Sequence, residues 1–275
     1  MNNDVYTMNE QSAATAFGKQ APLFDALYSS DTIIQYKRKR VRDHVLQWLQ
    51  PNSHILELNA GTGEDAVFFA QQGHIIHATD ISVEMQSLLS EKVKQQGLQN
   101  NITHELCSYT DLKNLKVHGP YDLIFSNFAG MNCTNELPKV LHSFDSLLKP
   151  GGIVNLVILP KFCLWEFLLL FKGKFKTAFR RFSGSKGAKV HLEGEFFRCW
   201  YYNPSFIRKH LKEHFNLIGL EGLCSLVPPS YLQGFAEKYP KTYHSLVKKE
   251  NKWKARWPWK VIGDYYIISL RKSKS

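Results

Sequence analysis

A carboxylate just ahead of a Gly-x-Gly turn is the first feature of this chain that could do chemistry: Glu57, then Gly61-Thr62-Gly63. Ile55, Leu56 and Leu58 give Glu57 an apolar setting of strand length, and Glu64 to Ala70 resume after the turn with helical spacing. Strand, glycine turn and helix open a doubly wound α/β domain. Gly61 and Gly63 let the backbone turn sharply and let a ligand approach closely. The helix that follows aims its free N–H groups at that ligand. Residues 61–66 also fit the dinucleotide pattern G-x-G-x-x-A. A carboxylate at Glu57 would repel a pyrophosphate, however, and suits a ligand that carries an ammonium group. A second strand, His74 to Thr79, ends on Asp80, an acid placed to accept hydrogen bonds from both hydroxyls of a ribose.

Glu57-Leu58-Asn59-Ala60-Gly61-Thr62-Gly63 resembles the first motif of the class I S-adenosylmethionine-dependent methyltransferases, an acid followed by G-x-G-x-G. Asn59 holds the first glycine place, and Asn tolerates a left-handed backbone better than most residues. Leu147-Leu148-Lys149-Pro150-Gly151-Gly152, ahead of an apolar strand, resembles the same family. The resemblance covers roughly residues 50–160. Ala13 to Tyr28, with Phe17 and Pro22-Leu23-Phe24-Asp25, is similar to the N-terminal segment of the branch that methylates quinones and related lipids, a segment that folds over the cofactor; Phe17, Pro22, Phe24, Leu27 and Tyr28 are its apolar anchors, with plain packing as the competing reading.

The resemblance implies S-adenosylmethionine as the cofactor. It implies Glu57 at the methionine end, Asn59, Ala60, Gly61 and Gly63 in the turn, and Asp80 on the ribose. Ile81, Met85, Ser108 and Tyr109 follow as the adenine side, and Asn127 and Phe128 close the site after the fourth strand. Many members carry an Asp near Ser108, which this chain lacks. The implied fold is α/β: a Rossmann-like, doubly wound seven-stranded sheet in the order 3-2-1-4-5-7-6, its last strand antiparallel, with a helical cap built from insertions. Residues 1–50 form an N-terminal helical segment over the cofactor site, 51–160 the cofactor-binding core, and 161–275 basic, aromatic cap insertions plus the closing strands.

Methyl transfer is a displacement at carbon in which the protein mainly aligns the reacting atoms. A general base is needed only where the nucleophile must lose a proton. Asn127, Phe128, Asn132 and Cys133 follow the fourth strand and are candidates to line the transfer site; Asn127 could instead cap its turn. Ser126-Asn127-Phe128-Ala129 is not the N-P-P-Y or D-P-P-Y turn of amino-methyltransferases acting on nucleic acid, and no Pro-Cys pair of the cytosine-C5 kind occurs at Cys133. His191 and Tyr201 are the candidate bases, and Glu166 either binds substrate or faces solvent. The five cysteines are scattered without a C-x-x-C pair, which indicates neither a metal site nor a disulfide framework.

The charge of +11 is uneven. Residues 1–160 carry 12 Lys and Arg against 16 Asp and Glu, and residues 161–275 carry 23 against 8. Such a basic half suits an anionic partner. Lys37 to Arg40 form a basic run whose usual meaning is a solvated face. Phe171, Phe175, Phe179 and Phe182 recur on one helical face, with Lys172, Lys174, Lys176, Arg180 and Arg181 beside it. That stripe is expected as a lid over an apolar acceptor, with membrane contact through 161–189 as the second reading. The polar N-terminus and the lack of a long apolar run point to the cytoplasm. The expected activity is methyl transfer from S-adenosylmethionine to a small apolar or lipid-like acceptor. An RNA methyltransferase using the basic half, an NAD-dependent reductase and a cofactor-fold scaffold without catalysis are the alternatives.

Overall fold

In the computed structural model, residues 7–274 are described, without the side chains of Phe24, Leu27 and Tyr28. The expected anchoring by those three side chains lies outside what is described. The first six residues also lie outside it, and the helix begins at Met8.

Seven strands form the central sheet: β1 (His54–Leu58), β2 (Ile75–Asp80), β3 (Ile102–Leu106), β4 (Tyr121–Ser126), β5 (Leu148–Ile158), β8 (Phe215–Leu223) and β9 (Tyr265–Lys272), in the order β3-β2-β1-β4-β5-β9-β8. β1 to β5 run parallel, and β9 lies antiparallel between β5 and β8. This is the expected Rossmann-like order; the strand numbers differ because a hairpin, β6 (Ala188–Leu192) with β7 (Glu195–Cys199), stands outside the sheet.

The alternation of side chains along a strand divides the core. Leu56, Leu58, Ile124 and Val154 pack under α5 (Leu137–Leu147) and α8 (Pro204–Leu211). Ile55, Ile76, Phe125 and Val157 pack under α2 (Thr32–Leu46), α3 (Glu64–Gln71) and α4 (Val83–Gln95). Glu57 shares the parity of Ile55, so its carboxylate points to the side of α2 and α3. The parallel strands are apolar on both faces because helices cover both.

The basic run of α2 is not a solvated face. Lys37, Arg38 and Arg40 are buried, with only Lys39 of the four exposed. Lys37 and Arg38 follow Ile33 and Ile34 by one helical turn, and Val41 and Val45 continue the same face one and two turns further on, which puts them on the apolar side. Arg40 pairs with Glu221 at 3.0 Å and with Glu250 of α10 (Pro240–Trp253) at 3.4 Å. Glu250 also accepts N–H bonds from Cys224, Leu226 and Val227. Residues 227–260 thus form a helical cap pinned to α2, as the length of that connection requires.

Residues 161–203 correct two expectations. The phenylalanine stripe is no continuous helix: Gly173, at φ +70°, separates a turn ending at Lys172 from the short α7 (Phe175–Phe179). Its rings are not a packed lid, since Phe171, Phe175, Phe179 and Phe182 are 86%, 62%, 52% and 55% exposed. Glu166, in α6 (Leu164–Leu168), neither faces solvent nor faces the cavity. It is buried and bound by Arg180 and Arg181, and Arg181 reaches on to Asp264 at 2.8 Å. That chain of charges anchors the segment to the loop before β9. No helix among the described residues is long and apolar enough to cross a membrane.

Candidate active site

The carboxyl ends of β1, β2, β3 and β4 meet α1 (Met8–Ser29) around one cavity. Glu57, Asn59, Ala60, Gly61 and Asp80 line it from the first two strands and their turns. Ile81, Met85, Tyr109, Asn127 and Phe128 complete the sheet side. Gly63 and Ser108 lie behind that lining. Ala13 and Phe17 face it from the segment expected over the cofactor, whereas the sequence did not announce Glu10 of α1, Arg38 of α2 or Asp65, which also face the cavity.

Each wall follows from local chemistry. Gly61 (φ +57°) carries the turn and donates its N–H to Asp80 Oδ2 at 2.9 Å. Asn59 has φ +49°, the left-handed backbone that its place in the motif demands. Its side chain ties β1 to β4, with Oδ1 accepting from Ser126 Oγ at 2.6 Å and Nδ2 donating to the Asn127 carbonyl at 3.0 Å. A Cβ on Gly130 would collide with that Asn59 side chain, so the turn after β4 needs glycine there. Phe128 and Ala129 also have positive φ, +47° and +63°. Such strain in non-glycine residues persists where surrounding contacts over-determine it. Here Asn127 Oδ1 accepts from the Phe128 N–H, and Ala129 donates to the Val157 carbonyl.

The electrostatics centre on two acids. Asp65 binds Arg42 at 2.6 Å and Arg38 at 3.1 Å. Burial works to raise its carboxyl, but the two guanidinium groups and the Asn127 amide outweigh that and hold it below the usual carboxylate range. Glu57 has no such partners of its own. Burial, reinforced by the charge of Asp65, pushes its carboxyl well above the ordinary range, and Oε2 has no hydrogen-bond partner. Asp80 is also raised by burial, against the N–H bonds from Ser82 and Gly61.

These residues fit S-adenosylmethionine. An orphaned, buried carboxylate at the end of β1 fits the methionine ammonium, since burying an unpaired carboxyl oxygen is costly. A carboxylate at the tip of β2 fits the ribose. The bound cofactor supplies a methyl group already activated on a sulfonium. In such a complex Glu57 would hold the cationic end and Asp80 the sugar, with α1 along one side of the cavity.

The four residues expected to act on the acceptor fall differently. Asn127 lines the cavity, but its amide is engaged by Asp65 and by the Phe128 N–H. Asn132 lies outside the lining. It is wholly buried, donates to the Leu159 and Trp200 carbonyls, and accepts from the Leu159 N–H. His191 sits on the outer hairpin, its ring stacked on Phe196 at 4.4 Å. Tyr201 is buried under Arg181, 5.3 Å from its guanidinium. A lone polar residue after a strand gives no sequence signal that separates a lining group from a clamp.

Residues 55–152 match the model of a methyltransferase domain family. Tuberculostearic acid methyltransferase UfaA1 of Mycobacterium tuberculosis is 31% identical over 107 residues, 38% of this chain and only 24% of that protein. A tRNA 5-carboxymethoxyuridine methyltransferase of Escherichia coli is 24% identical over 237 residues, 85% of each chain. Among solved structures, the [4+2]-cyclase SpnF superposes with a TM-score of 0.63 over 97% of both chains at 15% identity, a likeness of fold. With the acidic strand end, the glycine turn and the sheet order, the match over residues 55–152 identifies a methyltransferase domain of the class I, S-adenosylmethionine-dependent kind.

Proposed function

We propose that this methyltransferase transfers the methyl group to a small, apolar, lipid-like acceptor that it meets at an anionic membrane surface. The observation that carries this reading is the exposure of Phe171, Phe175, Phe179 and Phe182 beside exposed Lys172, Lys174 and Lys176. Bare phenyl rings in water are unfavourable, and a contiguous apolar patch marks an interaction site. Rings that enter the acyl boundary, with ammonium groups at the headgroups, suit an anionic bilayer. The relative whose name specifies a fatty acid, tuberculostearic acid, is consistent with such an acceptor.

RNA is the second reading, favoured by the tRNA-modifying relative aligned over most of the chain. One experiment separates them. The protein is sedimented with vesicles of phosphatidylglycerol and phosphatidylcholine in equal parts, with phosphatidylcholine alone, and with tRNA across a salt series. Binding to the anionic vesicles that is lost in Phe171→Ser/Phe175→Ser supports the lipid reading. No vesicle binding, with tRNA binding that weakens steeply with salt, overturns it in favour of RNA.

A further inference from the structure

We infer that Glu10 supplies the carboxylate that reads the adenine amino group, so that α1 closes the cofactor site with a base-selective contact. The inference rests on the cofactor assignment above and extends it to a residue far outside the matched segment. Just past β3 the chain offers Ser108 and Thr110, two hydroxyls and no charge of their own. In the fold a carboxylate arrives there from elsewhere. Glu10 is 1% exposed and lines the cavity with Ile81 and Tyr109. Its Oε2 accepts from Ser108 Oγ at 3.2 Å and from Thr110 Oγ1 at 3.0 Å. Ser108 Oγ also takes the Thr110 N–H, which fixes the hydroxyl pair that aims the carboxylate. Glu10 Oε1 has no partner.

A buried carboxylate oxygen without a donor calls for one from a ligand. Of the five acids that line the cavity, Glu64 and Asp65 on α3 are paired with Lys92 and with Arg38 and Arg42, and the other three stand at successive places along the sheet edge. Glu57 at the end of β1 answers the ammonium, and Asp80 at the tip of β2 answers the ribose. Glu10, held by residues just past β3, is left for the end of the ligand beyond the sugar. The base presents one exocyclic amine there, a two-proton donor that a carboxylate oxygen accepts well. Glu10 lies in the first turn of α1, its N–H capped by Thr7. Binding of the base therefore adds a further hold on the start of that helix.

The test compares S-adenosylhomocysteine with S-inosylhomocysteine, which has an oxygen in place of the amine, by calorimetry. The full chain is expected to bind the amine form at least roughly tenfold more tightly, the scale of a hydrogen bond to a charged group. Glu10→Ala is expected to bind both alike, and Ser108→Ala to keep part of the preference. In hydrogen exchange, adenosine alone is expected to protect the first turns of α1 in the parent protein and not in Glu10→Ala. Equal affinity of the parent for the two ligands, or a preference that survives Glu10→Ala, overturns the inference while leaving the cofactor assignment standing. A parent protein that binds neither ligand overturns both.

Discussion

Asn127 Nδ2 donates to Asp65 Oδ2 at 2.8 Å, inside a pair that also holds Arg38 and Arg42. The amide is thereby a positioning group between β4 and α3. Asn127→Ala removes a bond to a charged partner and frees the strained turn at Phe128. It is expected to cost about 1.5–3 kcal/mol of stability and to reduce cofactor affinity along with turnover. A thermal midpoint equal to the parent's, with turnover alone reduced, would return Asn127 to the acceptor side.

Glu57→Gln separates binding from stability. The folded Glu57 carboxyl holds its proton to higher pH than it would in the unfolded chain. The folded state therefore binds more protons, and the ligand-free protein loses stability as pH rises from the ordinary carboxylate range through the raised value. The groups that face Glu57 are Asp65, Asp80, Arg38 and Arg42. The neutral variant is expected to be more heat-stable than the parent at neutral pH without cofactor, and to bind S-adenosylmethionine roughly 10- to 100-fold more weakly. The parent's affinity is expected to rise with pH as Glu57 ionises, with proton release visible as a buffer-dependent heat of binding. Affinity that is flat with pH, or unchanged in Glu57→Gln, would be inconsistent with an ammonium partner.

Asp80→Ala removes the acceptor of the Gly61 and Ser82 N–H groups as well as the proposed ribose contact. Gly61 borders the cavity, where water replaces its lost acceptor, so the sheet is expected to survive with a loss of about 1–2 kcal/mol. Calorimetric affinity for S-adenosylhomocysteine is expected to fall. Unchanged affinity in a folded variant would remove Asp80 from the ribose.

Glu250→Ala tests the pin between the cap and α2. It strands three backbone N–H groups, at Cys224, Leu226 and Val227, and leaves Arg40 with Glu221 alone among its carboxylates. Breaking a buried ionic cluster from one side costs about 3–5 kcal/mol. In a chain of this size that lowers the melting midpoint by on the order of 10 °C. A shift near zero would mean that the cap holds without this cluster.

The sequence by itself determined the parts written in adjacent residues. Acid, glycine turn and helix start occupy Glu57 to Ala66, with a short apolar run marking the strand before the turn and helical spacing marking the helix after it. Asn59 in a glycine place announced a left-handed residue, and the chain has one there. Tertiary structure alone decided what depends on residues remote in the chain. Lys37, Arg38 and Arg40 are a basic run in any window, and only the arrival of Asp65 at Arg38, of Glu221 and Glu250 at Arg40 and of Ser230 at Lys37 makes it an interior cluster. Glu10 meets Ser108 and Thr110 across a separation that no local pattern spans. Asn132 had the same look in sequence as a lining residue, and its hydrogen bonds to Leu159 and Trp200 make it a clamp. Local steric preference and periodicity act over one or two turns of chain. Burial, pairing and the orphaning of a polar atom are properties of the packed neighbourhood, which exists only once distant segments have met.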